Sequence, residues 1–238
     1  YREKRRRLGP VAVIHPMRSA ALLSAALGKI NLLDLLTQLF HDILEDIRPT
    51  DFKIPEWREM ERLLFSLLER LTEKTENDLT ERLFYLTRLK EETYHSYVGR
   101  LLDGAQIHWE VVMVKLADRL DNTLDMRLGA YDPLEGVNFF QEIFQLLFVN
   151  SFKGYSQEYA RQAPSTINAA KRLYQLFKNS VLLSLIRRRR FVGGNSGLEI
   201  LFNAVARASL LEAQRIFLKI AAFHIRDVPR QRSLLIDA

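Results

Sequence analysis

Apolar residues at helical spacing, with little to interrupt them, set the limits on what this chain can fold into. Met60, Leu63, Leu64, Leu67, Leu68 and Leu71 recur along one side of a helix, with Glu61, Arg62, Ser66, Glu69 and Arg70 between them. The same period runs through residues 16–27, 32–47, 79–89, 93–102, 110–127, 138–148, 166–187 and 198–225. Ten glycines and seven prolines in 238 residues leave few breakers, and no stretch sustains the period-two alternation of a half-buried strand. Residues 11–14 form an apolar run that could be extended, but it is too brief to build a sheet. The expectation is an all-α protein, a compact multi-helix bundle with additional C-terminal helices.

Punctuation divides the pattern. His15-Pro16 reads as a helix entry with His15 at the cap, because proline tolerates the first helical position. Gly28 reads as a helix stop. Pro49, Pro55 and Asp132-Pro133 break the chain further on, and 191–197 reads as a hinge in which Ser196 caps the last helix. The expected plan is a helical domain over 1–190, followed by a hinge and a terminal helix over 191–238.

The net charge of +6 is unevenly spread. Residues 1–150 carry 20 basic and 24 acidic side chains, whereas 151–238 carry 15 basic and 5 acidic. No apolar run approaches the roughly 18 residues that a membrane span needs. The chain has no cysteine, which excludes disulfides, thiolate zinc sites and cysteine nucleophiles and fits a reducing cytoplasm. Tyr1 stands where a start methionine would, so a preceding segment is expected.

Polar chemistry concentrates at three places. His15 opens a helix; His41, Asp42, Glu45 and Asp46 interrupt a strongly apolar one; Lys115, Asp118 and Asn122 share one face of a third. Imidazole nitrogen with carboxylate oxygen suits a divalent transition metal better than calcium. Should His15, His41, Asp42 and Asp118 meet in space, they offer two nitrogens and two oxygens. Coordination positions would remain open for water and a phosphate oxygen. Glu45 and Asp46 fall one turn from those ligands, suited to moving protons.

These three segments, in this order, resemble the HD phosphohydrolase superfamily. The chain has His15-Pro16, then His41-Asp42 with Glu45-Asp46, then Lys115-Leu116-Ala117-Asp118-Arg119-Leu120 with Asn122. The pattern is most similar to the hydrolase domain of the RelA/SpoT group, which removes the 3′-pyrophosphate from guanosine tetra- and pentaphosphate, usually with manganese. It spans about residues 5–127. The resemblance implies metal ligands at His15, His41, Asp42 and Asp118 and a catalytic acidic pair at Glu45 and Asp46. Substrate contacts are implied at Lys115, Arg119 and Asn122, and at Arg6 and Arg7 in the basic run before Gly9-Pro10. The implied cofactor is a divalent ion, manganese first, with iron, cobalt, zinc or magnesium as alternatives. The implied partner is a phosphorylated nucleotide, guanosine polyphosphate first, with another nucleotide or phosphodiester as the runner-up. Residues 11–14 are apolar where the family is aromatic and polar, and its Phe-Gly and Gly-Val-Thr-Lys signatures do not stand between Asp46 and Lys115. Nothing after Arg127 resembles the group's synthetase domain.

Other features read more plainly. His95, His108 and His224 match no motif, Tyr94 and Tyr97 read as helix packing, and the Gly193–Gly197 segment lacks the Lys-Ser/Thr of a phosphate loop. Arg187–Arg190, beside Lys171, Arg172 and Lys178, reads either as a solvated helix end or as a surface for nucleic acid. A third option sets this basic end against the acidic part of a second subunit in a homo-oligomer.

Overall fold

The computed structural model describes residues 12–46, 53–125, 169–191 and 195–236, and all regular structure among them is helical. In chain order the helices are α1 (Ile14–Leu27), α2 (Leu32–Phe40), α3 (Ile43–Asp46), α4 (Ile54–Leu68), α5 (Glu73–Leu86), α6 (Tyr94–Gly104), α7 (Glu110–Asp125), α8 (Ala169–Arg188), α9 (Ser196–His224) and α10 (Val228–Ile236). The all-α expectation holds. Among the described residues no helix is long and apolar enough to cross a membrane. Arg6, Arg7, Asp132-Pro133 and the 138–148 pattern lie outside the described residues.

Helix ends follow local chemistry more closely than periodicity does. α1 begins at Ile14, so His15 and Pro16 belong to its first turn and His15 is no cap. Proline loses nothing there, because the first four N–H groups of a helix have no acceptor within it. Gly28 does end α1: its φ is 69°, and its N–H donates to the Ser24 carbonyl at 3.0 Å. The Asn31 side chain caps α2, accepting the Asp34 N–H at 2.8 Å. Asn195 caps α9 in the same way through the Leu198 N–H, which leaves Ser196 as a helical residue. The pattern over 32–47 is interrupted, since His41 and Asp42 form a turn between α2 and α3.

α7 is the centre of the bundle and packs against α1, α2, α5, α6, α8 and α9. Val111, Val112, Met113, Val114, Leu116 and Ala117 are all but unexposed, so the first half of this helix is buried on nearly every side. The first half of α9 brings Leu198, Leu201 and Val205 into the same cluster as Leu23, Val98 and Leu182. Residues beyond 191 therefore share a core with those before it. α4 differs: its apolar stripe forms as a helix, yet it has no buried residue, and Leu63 and Phe65 are exposed.

Buried polar groups stitch the helices where the apolar core ends. Arg82 on α5 meets Asp34 on α2 at 2.6 Å and Glu110 on α7 at 3.1 Å. Arg172 on α8 is 1% exposed, donates to Glu212 on α9 at 3.0 Å, and reaches the carbonyls of Asn122 and Thr123 on α7. Asn179 extends this seam to Thr123 at 2.9 Å and Ser209 at 2.8 Å. Removing one partner of a buried ion pair strands the other charge, at a cost of roughly 3–5 kcal/mol. Arg172→Ala is expected to lower stability by about that much in urea denaturation, and Arg172→Met with Glu212→Leu to recover most of it.

Candidate metal centre

The central helix carries two carboxylates, Asp118 and Asp121, into an environment that is 3% exposed at each. Buried carboxylates need compensating partners, and the surrounding elements provide them. The first turn of α1 delivers His15, which is 4% exposed. Its Nδ1 lies 2.5 Å from Asp121 Oδ2, and its Nε2 lies 3.1 Å from Asp118 Oδ1 and 3.4 Å from Asp42 Oδ2. The turn after α2 delivers His41 and Asp42 together. His41 Nδ1 donates to the Gln38 carbonyl at 2.7 Å, which leaves Nε2 aimed at Asp42 Oδ2 (3.1 Å) and Asp118 Oδ1 (3.7 Å).

One donor atom from each of His15, His41, Asp42 and Asp118 lies within 4.8 Å of all the others. His41 Nε2 is buried, and the polar atoms it faces are the Asp42 and Asp118 carboxylates of this cluster. Two imidazole nitrogens and two carboxylate oxygens make a donor set that fits a divalent transition metal. The Asp121 carboxylate behind His15 and the Gln38 carbonyl behind His41 fix both rings, as carboxylates and carbonyls do behind metal-bound imidazoles. Arg18 holds Asp121 in turn, with Nε at 2.7 Å from Oδ1 and an amino nitrogen at 3.1 Å from Oδ2.

Protons can take the place of a cation at this centre. Burial would lower the His15 pKa, but hydrogen bonds to Asp118, Asp121 and Asp42 outweigh it and raise the value to about 11. Burial likewise opposes the charge on His41, while Asp42 and Asp118 carry its pKa up to about 10. Asp42 is held below the usual carboxylate range: burial resists this, and His41 and His15 prevail. Asp118 is lowered in the same way against its burial, chiefly by Lys115 and then by the two histidines. Glu45 is shifted the other way, upward, by burial first and by the nearby charges of Asp42 and Asp118. Its Oε1 accepts the Arg88 N–H at 2.6 Å, while much of the side chain remains exposed.

The structure gathers some of the remaining expected residues and turns another away. Lys115 Nζ lies 2.8 Å from Asp118 Oδ2, and the Asn122 amide donates to Asp118 Oδ1, so both hold the ligand carboxylate. Arg119 points into α8, donating to Asn179 at 2.7 Å and to the Gln175 carbonyl at 3.0 Å. Asp46 ends α3, and Arg6 and Arg7 fall outside the described residues. Asp121, Arg18 and Gln38 were not anticipated. Asp121 was within reach of the pattern, since it follows Asp118 by one helical turn.

Comparison with known proteins gives no matching family model, no matching curated protein and no matching solved structure.

A dication replacing the protons on both imidazoles must release them, so uptake at pH 7 should liberate roughly two protons per ion. Titrating manganese calorimetrically in buffers of different ionisation enthalpy measures this number, and affinity should rise with pH. Without metal, the raised histidine values stabilise the fold fully below pH 6.5, and that contribution is lost as pH climbs through about 10 to 11. Asp42→Ala removes one of the four donors, and metal content after gel filtration should fall to background.

Proposed function

We propose that this chain is a metal-dependent phosphohydrolase that cleaves a phosphorylated nucleotide, with a guanosine polyphosphate as the leading substrate. The observation that carries the proposal is the meeting of His15, His41, Asp42 and Asp118 from three separate parts of the chain. The order and spacing of the motifs, which resemble those of HD-type guanosine polyphosphate hydrolases, support the choice of substrate. A divalent ion held by those four residues would polarise a phosphate oxygen and bring the pKa of water towards neutrality.

The remaining work falls to the chain's own side chains. Asp121 keeps the proton of His15 on Nδ1, and the Gln38 carbonyl keeps that of His41 on Nδ1, so each ring offers Nε2 to the centre. Lys115 and Asn122 clamp the two oxygens of Asp118, restricting its rotation. Glu45 lies one short helical turn after Asp42, and its raised pKa suits a group that takes a proton from water and returns it. Hydrolysis then forms one P–O bond from water and breaks the P–O bond to the leaving group. Asp46, the second acidic residue of the motif, is the proposed donor to the departing oxygen.

The test is manganese-loaded protein with guanosine tetraphosphate, scored by pyrophosphate release. Glu45→Gln should retain metal and lose about 10²–10⁴-fold in rate. Equal metal loss in Glu45→Gln and Asp42→Ala would overturn this division of roles. Turnover confined to other members of a panel of nucleotides and phosphodiesters would move the substrate assignment while keeping the reaction class.

A further inference from the structure

The second half of α9 departs from the pattern of a helix packed on one side. Ser209, Glu212 and Ile216 are buried towards the bundle, and Ile216 forms a small apolar cluster with Leu176 of α8. Across the helix from them, Leu210, Leu211, Phe217 and Leu218 are 39–60% exposed, two pairs that repeat seven residues apart on one face. A helix that covers a core with one face is ordinarily polar on the other. Here the outer face is an apolar stripe that no described residue covers. Further apolar side chains are exposed beyond it, Phe223 near the end of α9 and Val228 and Ile236 on α10. The Gln231 side chain donates to the Ile225 carbonyl and so ties α10 to the end of α9.

Cations accompany this apolar surface. Residues 207–236 hold six basic and two acidic side chains. One of the two acids, Glu212, is buried and already accepts from Arg172 and Arg215. Arg207, Arg226, Arg230 and Arg232 are exposed. We propose that the outer face of α9 from Arg207 onward, together with α10, docks on an anionic lipid surface. The leucine and phenylalanine side chains enter the acyl boundary, and the arginines meet lipid phosphates. The helices lie along the surface, since none of those described is long and apolar enough to cross it. This attachment is independent of the reaction at the metal centre.

Shape and charge together select a membrane over a protein partner. From Arg207 to His224 the helix runs roughly 27 Å at 1.5 Å per residue, a straight line that a plane meets along its whole length. Guanidinium groups at a protein interface need carboxylates at matching positions. Lipid phosphates form a continuous layer, so arginines at irregular intervals each find one. The arginine stems add apolar contact while their charged heads stay at headgroup level. Buried apolar area and attraction to anionic lipid are the two contributions that hold an amphipathic helix at an interface, and this face supplies both.

Co-sedimentation of the full chain with vesicles tests the proposal, using phosphatidylcholine alone or phosphatidylcholine mixed with phosphatidylserine. The protein should pellet with the anionic vesicles and stay in solution with the neutral ones. No binding to the anionic vesicles would overturn the proposal. A basic protein also adheres to anionic surfaces without a dedicated face, so paired variants carry the decision. Leu211→Gln with Leu218→Gln alters exposed side chains, should leave the melting temperature unchanged, and should weaken binding at least severalfold. Arg230→Gln with Arg232→Gln should weaken it roughly tenfold or more. Arg188→Gln with Arg190→Gln, at the exposed end of α8, should leave it unchanged. Binding indifferent to the leucine pair, or equally sensitive to both arginine pairs, would reject this face as the docking surface. A dimer in sedimentation velocity that the leucine pair dissociates, without vesicle binding, would reject the lipid assignment and give the face to a second copy of the chain.

Discussion

Everything around α7 answers one demand: Asp118 and Asp121 must remain ionised on a helix whose first half is buried on all sides. Ionised carboxylates in such surroundings are costly unless each oxygen finds a partner. His15, Arg18, Lys115 and Asn122 supply those partners, and they come from only two helices. His41 and Asp42 close the remaining side. The first turn of α1 and the turn after α2 have their positions because α7 presents charge there. The apolar pairs of the bundle fix the distance between helices, and the carboxylates fix the register.

The helical class was legible in the sequence because period and scarcity of breakers agree over most of the chain. The candidate ligands were legible because a histidine, a histidine–aspartate pair and an aspartate each interrupt an apolar helical pattern, in an order that resembles known motifs. Less legible was the turn at His41–Asp42. Periodicity runs on through it, since Leu44 and Ile43 keep the apolar spacing while the backbone departs from the helix. The roles of Lys115, Arg119 and Asn122 were also hidden. Neighbours on one helix point roughly 100° apart, so Arg119 serves α8 while Asp118 serves the cluster, and no spacing rule distinguishes the two tasks. Asp121 shows the opposite case, a residue that was not anticipated although its one-turn spacing from Asp118 could have pointed to it.

The basic C-terminal part illustrates why segment charge is a poor guide to partners. Read as a sequence, Arg172, Lys178 and Arg187–Arg190 form one positive region. In the fold they separate into three environments. Arg172 is internal and is spent on Glu212 and two backbone carbonyls. Lys178 lies over the rings of Tyr94 and Tyr174. Arg187–Arg190 are exposed at the end of α8, where Arg189 meets Asp103 at 2.7 Å and cations complement the helix dipole.

The contacts of His15 have a topological consequence. They join positions 103 and 106 residues apart in a chain that has no cysteine. Unlike a covalent cross-link, such a tie is broken in the unfolded chain, so making it costs the closure entropy of a loop of that length. Whatever occupies the centre, proton or dication, therefore also sets how firmly the amino-terminal helix is fastened to the middle of the protein. At His15, His41, Asp42 and Asp118 the occupancy of the centre and the stability of the fold are linked, and neither can be tuned without moving the other.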